Sequence, residues 1–167
     1  DARQHARKRL PRMMFDFIDG ASGDETLCSL NSAAIDEIRL MPRVLVDVSD
    51  RSLSSSILGL ETGLPFGIAP MGMCGLAWPG ADRALAIEAA RRRMPLCVST
   101  ASSMTLEQIN EIAEGNAWFQ LYADQSSDFV NELVDRAAAA AYEVLILTVD
   151  VPIPSVRLRD LRNGFTF

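Results

Sequence analysis

Polar residues able to do site chemistry recur at regular points in this 167-residue chain, each closing a short apolar run. Pro70-Met71-Gly72 closes the first run and Ser99-Thr100 the second. Gln120 and Tyr122 close the third, and Thr148 and Asp150 the fourth. Amides and hydroxyls both donate and accept hydrogen bonds, so such a set can bind a polar ligand edge without ionising. Arg157 follows the fourth run, and its planar guanidinium suits a carboxylate, which it can meet through two parallel bonds. By residue type alone, Gln120 reads equally as a core amide satisfied by backbone, and Arg157 reads better as one surface charge among several. The single histidine, His5, lies in a polar N-terminal stretch with no sequence partner for catalysis. Cys28, Cys74 and Cys97 lack the paired spacing of a metal site, so no metal is expected. Their odd number argues against a disulfide framework and for a reducing, cytoplasmic setting.

The elements that must position these residues follow from periodicity. Four apolar bursts, 65–70, 95–99, 117–122 and 144–150, read as strands. Helical segments lie between them at Ala81 to Arg92, Thr105 to Glu114 and Asp128 to Ala141. This β-α-β-α-β-α-β rhythm is that of a parallel sheet with crossover helices, its strands apolar because both faces are buried. Upstream, Asp1 to about Met41 reads as helical, with Gly20 a stop and Asp24-Glu25-Thr26 a second start. Val44 to Val48 alternates like a strand, and Ser56 to Gly59 is expected to pair with it as a hairpin. The expected domains are therefore 1–62, a helical segment with a small hairpin, and 63–167, the βα array.

A doubly wound sheet and a (β/α)₈ barrel share this rhythm. No G-x-G-x-x-G turn follows the first strand, so the dinucleotide fingerprint is missing. Every burst also ends in polar or special residues, which a barrel gathers on one rim. Both points favour the α/β TIM barrel, with this chain supplying the first four βα units. Four strands do not close a barrel, so the chain is expected to need its C-terminal half or a second copy of itself.

Composition sets outer limits. Hydrophobic residues make up 49% and charged residues 23%, the balance of a soluble globular domain. A net charge of −6 disfavours nucleic acid as a partner, because phosphate binding needs concentrated positive charge. The basic runs at Arg3 to Arg12 and Arg91 to Arg93 read as solvated helix faces. No stretch reaches the length of a membrane span. The chain opens on Asp1 rather than methionine and closes on Asn163-Gly164-Phe165-Thr166-Phe167 with no cap or polar tail, so both ends read as interrupted.

The segments Leu10 to Gly20, Pro42 to Val48, Ile68-Ala69-Pro70, Trp118 to Tyr122, Leu147 to Asp150 and Arg159 to Phe165 together resemble, in order, the FMN-dependent 2-hydroxy-acid dehydrogenase family. That family includes glycolate oxidase, lactate dehydrogenase and mandelate dehydrogenase, and the resemblance spans essentially the whole chain. It implies an FMN cofactor. Ala69, Pro70, Met71 and Gly72 would lie along the isoalloxazine, with Ser99, Gln120 and Thr148 bonded to its polar edge. Tyr122 would face the substrate as a catalytic residue, Arg157 would hold its carboxylate, and Asp150 would be a structural partner. Phe17 stands where many members have a carboxylate-binding tyrosine, and it cannot donate a hydrogen bond. Trp78-Pro79 and Ser99 to Ser102 resemble the mandelate-oxidising branch, which implies an aromatic substrate.

The resemblance further implies oxidation of a small 2-hydroxy acid to a 2-oxo acid. The flavin-activating lysine, histidine base, second arginine and phosphate loops would come from a C-terminal half. A homo-oligomer, tetrameric in the family, is implied, as is a cytoplasmic or inner-membrane-peripheral location. The alternative reading is a non-catalytic half-barrel that dimerises or awaits its partner half. The flavin-dependent isopentenyl diphosphate isomerases share parts of such a site, but Arg157 and the 159–165 run speak against them.

Overall fold

A computed structural model describes residues 1–123, 126–150, 153 and 155–165. Thr166 and Phe167, the last residues of the expected array, lie outside the described residues, as do parts of the loops after the third and fourth strands. The chain forms two compact units: Asp1–Asp50 with Val151–Phe167, and Arg51–Asp150.

The second unit carries the βα array. Its helices are α4 (Cys74–Ala77), α5 (Ala81–Arg92), α6 (Leu106–Ile112) and α7 (Ser127–Ala139), and its parallel strands are β3 (Leu96–Ser99), β4 (Ala117–Tyr122) and β5 (Leu145–Thr148). Local chemistry sets the helix starts: the Thr105 and Ser126 side chains accept from the Gln108 and Phe129 amides, satisfying first-turn donors that have no partner within the helix.

Register decides which side chains face where. Leu96 pairs with Ala117 and Val98 with Phe119, and these join Leu121, Ala86, Leu106, Ile109 and Leu133 in a core between sheet and helices. Phe119 is fully buried, with the Tyr142 ring edge-on at 6.2 Å. Truncating such a ring typically costs ~3–5 kcal/mol. Side chains alternate along a strand, so Cys97, Ser99, Trp118, Gln120 and Tyr122 occupy the opposite face. Ile146 and Thr148 share that face, because they pair with Gln120 and Tyr122.

The first burst does not form a full strand. Only Ile68 joins the sheet, donating to Pro95 O at 2.8 Å and accepting from Cys97 N at 2.9 Å. Pro65 and Pro70 lack the amide hydrogens a ladder needs. Gly67 lets the backbones approach, since a Cβ there would lie 2.5 Å from Pro95 O.

The expected pairing of Val44–Val48 with Ser56–Gly59 is corrected. Val44 and Leu45 are exposed, and Leu45 has φ 58, which breaks an extended run. The hairpin instead joins β1 (Ser55–Ile57) to β2 (Leu60–Thr62) through Leu58 and Gly59, both at positive φ. A two-residue turn of that twist matches the strands, and so short a loop costs little entropy to close.

The first unit contains α1 (Ala2–Arg9), α2 (Arg12–Asp19), α3 (Thr26–Asp36) and α8 (Leu158–Asn163). Arg159 binds Asp19 at 2.8 Å and also Glu25, while Asn163 donates to Asp16 at 2.8 Å. Arg3 binds Asp19 from the other side. These links draw 158–165 to the N-terminal helices. The Gly63 amide meanwhile bonds Arg93 O at 2.7 Å, tying the end of the hairpin to the βα unit. The compact units therefore do not follow the expected boundary at residue 62. Among the described residues, no helix is long and apolar enough to cross a membrane.

Candidate functional site

At the C-terminal ends of β3, β4 and β5, three polar side chains form a row on the face away from the helices. Ser99 lies opposite Gln120 in register, and Gln120 Nε2 donates to Thr148 Oγ1 at 2.7 Å. Gln120 is 2% exposed, so its amide is a fixed element of the site. Its orientation is set by a backbone donor: Thr100 N–H reaches Gln120 Oε1 at 3.3 Å, and an amide hydrogen must meet the oxygen rather than the nitrogen.

Hydrogen availability follows. Thr148 Oγ1 accepts from Gln120, so its own O–H is available to donate. Ser99 Oγ accepts from Ala101 N at 3.1 Å, leaving its O–H in the same condition. Gln120 retains its second N–H. The row therefore presents two hydroxyls and an amide toward the helix-free face, flanked by Tyr122, which is 42% exposed and pairs with Thr148.

Ala69, Pro70, Met71 and Gly72 run beside this row as an exposed backbone segment. Met73 N bonds Ala101 O at 2.8 Å, fixing the segment to the β3–α6 loop. A Cβ at Gly72 would lie 3.1 Å from Ala101 Cβ and 3.6 Å from Ser99 Oγ, so glycine keeps this passage narrow. Ala69, Met71, Cys97 and Ser99 line a shallow cleft here. Burial pushes the Cys97 and Cys74 thiols up from their usual values, which favours their protonated form. All three cysteines are free thiols.

In the first unit, Arg157 and Phe17 are brought together. The Arg157 guanidinium stacks 5.1 Å from the Phe17 ring centre, and its Nη2 donates to the Phe17 and Gly20 carbonyls. Its Nε meets Asp160 Oδ2 at 2.6 Å. Arg157 is therefore an anchored group rather than a loose surface charge. The sequence reading missed Asp160, although an acid three residues after an arginine on a helix start is a recognisable ion-pair spacing. It placed Thr100 at a strand end but gave it no role in the site. No group of three or more potential metal ligands occurs among the described residues.

Parallel strands with crossover helices, and polar residues collected at the strand ends, define a (β/α)₈-barrel site of the kind that holds a ligand at the C-terminal rim. The model of the FMN-dependent dehydrogenase family matches residues 6–167, and the chain belongs to that family. It is 38% identical to (S)-mandelate dehydrogenase of Pseudomonas putida over 99% of this chain and 42% of that protein. To an L-lactate dehydrogenase of Caulobacter sp. (strain K31) it is 37% identical, over 99% of this chain and 44% of that one. A solved structure of mandelate oxidase overlays with a TM-score of 0.92 at 36% identity, covering 99% of this chain and 48% of that one. The chain thus spans less than half the length of these relatives and carries the first βα units of their barrel.

Proposed function

We propose that the protein carrying this chain oxidises a small 2-hydroxy acid to the 2-oxo acid with FMN, and that the Ser99–Gln120–Thr148 row holds the flavin's polar edge. The observation that carries this is the buried Gln120 amide, oriented by Thr100 and bonded to Thr148. The donor set fits: hydroxyls and an amide can meet the alternating carbonyl and N–H groups of an isoalloxazine edge. When bound, FMN supplies a two-electron acceptor for the substrate. The exposed 69–72 backbone offers a ledge for the ring, whatever the side chains are.

Tyr122, at the rim beside Thr148, places a phenol where it can bond the substrate's reacting oxygen. Arg157 would hold the carboxylate, with Asp160 and the Phe17 ring fixing its plane. Its Nη1 is the nitrogen with no bond to another group among the described residues. Phe17 contributes its ring face and carbonyl to that arginine in place of a hydroxyl to the substrate. The base that takes the hydroxyl proton would come from the C-terminal half of the barrel. One further observation supports the Tyr122 and Arg157 assignments. Mandelate oxidase has been solved as a tyrosine-to-phenylalanine variant with (S)-mandelic acid and as an arginine-to-leucine variant with 2-hydroxy-phenylacetamide. That tyrosine and that arginine are separated by the same number of residues as Tyr122 and Arg157.

The test is optical. Protein that is yellow, and that bleaches without oxygen when (S)-mandelate or L-lactate is added, supports the reading, whereas protein that gains no flavin from added FMN refutes it. An inner-membrane-peripheral location, suggested by a monotopic (S)-mandelate dehydrogenase among the relatives, is part of the same proposal and is checked by co-sedimentation with membranes. A second reading, the self-associating half-barrel, has one observation in its favour: Leu145 and Leu147 on β5 are half-exposed on the face that helices cover elsewhere in the sheet. Sedimentation velocity of the chain alone tests it.

A further inference from the structure

The β3–β4 ladder runs in register from Leu96↔Ala117 to Ser99↔Gln120, so the next residue, Thr100, would pair with Leu121. In a parallel ladder, such a residue gives its N–H to the carbonyl before its partner and takes the N–H after it. Those two groups are Gln120 O and Tyr122 N. Neither meets Thr100's main chain. Thr100 Oγ1 donates to Gln120 O at 2.7 Å and accepts from Tyr122 N at 3.1 Å. One hydroxyl thus stands in for both main-chain groups of a strand residue, which only an atom that donates and accepts at once can do.

The substitution has a consequence for the site. Released from the ladder, Thr100's own N–H turns to Gln120 Oε1 and sets the amide so that Nε2 faces Thr148. The chain leaves the sheet at the same point, with Ser102 N bonding Ser99 O at 3.0 Å and Ala101 N bonding Ser99 Oγ. Gln120 and Tyr122 are both fixed through this one residue.

We infer that Thr100 is the positioning residue of the flavin-edge site, its hydroxyl ending the β3–β4 ladder so that its amide can orient Gln120 while Tyr122 is held at the rim. This rests on the flavin reading proposed above. Valine has the same shape without the hydroxyl, and serine keeps the hydroxyl without the methyl.

The test compares T100V and T100S in the protein carrying this chain, following FMN affinity by fluorescence quenching, the visible flavin spectrum and the thermal midpoint. T100V is expected to bind FMN about tenfold more weakly, the effect of losing roughly one well-made hydrogen bond's worth of positioning, and to shift the flavin bands. T100S should restore both to within about twofold. A T100V protein with parental FMN affinity and spectrum overturns the inference, even if its thermal midpoint falls, because that pattern is purely structural. T100S behaving like T100V also overturns it. If T100V does not fold, T100C takes its place with the same expected loss, since a thiol is a weak donor and a weak acceptor. Parent protein that takes up no FMN refutes the flavin reading itself, a result separate from any variant's behaviour.

Discussion

Replacing Gln120 with leucine tests the site at its most constrained point. The side chain is 2% exposed and makes two bonds, Nε2 to Thr148 at 2.7 Å and Oε1 from Thr100 N at 3.3 Å. Each neutral bond contributes ~0.5–1.5 kcal/mol net, and a buried donor left unpaired costs ~1–3 kcal/mol. Thr148 can turn its hydroxyl elsewhere, but Thr100 N–H cannot move without disturbing the bonds of the Thr100 hydroxyl to Gln120 O and Tyr122 N. Leucine recovers part of the loss, because burying its side chain is worth ~1.5–3 kcal/mol relative to exposure. The expected net destabilisation is ~1–2 kcal/mol, or roughly 2–8 °C in the thermal midpoint at this chain length. FMN affinity should fall further than stability does, by more than about tenfold, since both the donor and the orientation it imposes are lost. Differential scanning fluorimetry and flavin fluorescence titration read the two effects separately. A Gln120→Leu protein that is more stable and binds FMN as before would show that Gln120 is only a tolerated core amide.

Tyr122→Phe should slow turnover while flavin stays bound, because the phenol is assigned to substrate; stopped-flow reduction and the visible spectrum check this, and loss of flavin would contradict it. Arg157→Lys should raise KM for the 2-hydroxy acid, as a point charge replaces a planar fork and the contacts with Asp160 and Phe17 O change; an unchanged KM would return Arg157 to a purely structural role. The Arg3 guanidinium, with Arg159 beside it, holds the Asp19 carboxyl down at about 2 against a usual 3.8. A depressed acid stabilises the fold fully above its ordinary value and loses that contribution as pH falls toward about 2, so circular dichroism should show the first unit weakening between about pH 4 and 2. Arg159→Met should move that transition to higher pH, and an unmoved transition would deny Arg159 its part in holding Asp19 ionised.

The βα rhythm was legible because each piece is local: 3.6-residue spacing for α5, α6 and α7, and short apolar bursts for β3, β4 and β5. The exceptions failed where pairing decides. The 65–70 burst is as apolar as the others, yet its prolines leave Ile68 as its single bridge to the sheet. Val44–Val48 has strand composition, but the residues that pair are Ser55–Ile57 and Leu60–Thr62, selected by the turn between them. The helix at Leu158–Asn163 is short and held by ion pairs to residues more than a hundred positions earlier, so periodicity does not announce it.

The site divides the same way. Ser99, Gln120, Tyr122 and Thr148 could be picked out by type, position at strand ends and family resemblance. Thr100 could be placed at a strand end in the same way, but its role could not be read, because that role exists only once the β3–β4 register is known. The anchoring of Arg157 by Phe17's carbonyl is likewise a contact no spacing reveals.

The most direct test of the flavin reading is anaerobic spectroscopy of the protein carrying this chain, reconstituted with FMN and titrated with (S)-mandelate. The parent is expected to show a bound-flavin spectrum that bleaches on addition of the 2-hydroxy acid, and Gln120→Leu a spectrum that is shifted or lost. A parent that leaves FMN free in solution, or bound flavin indifferent to the Gln120 substitution, would contradict it.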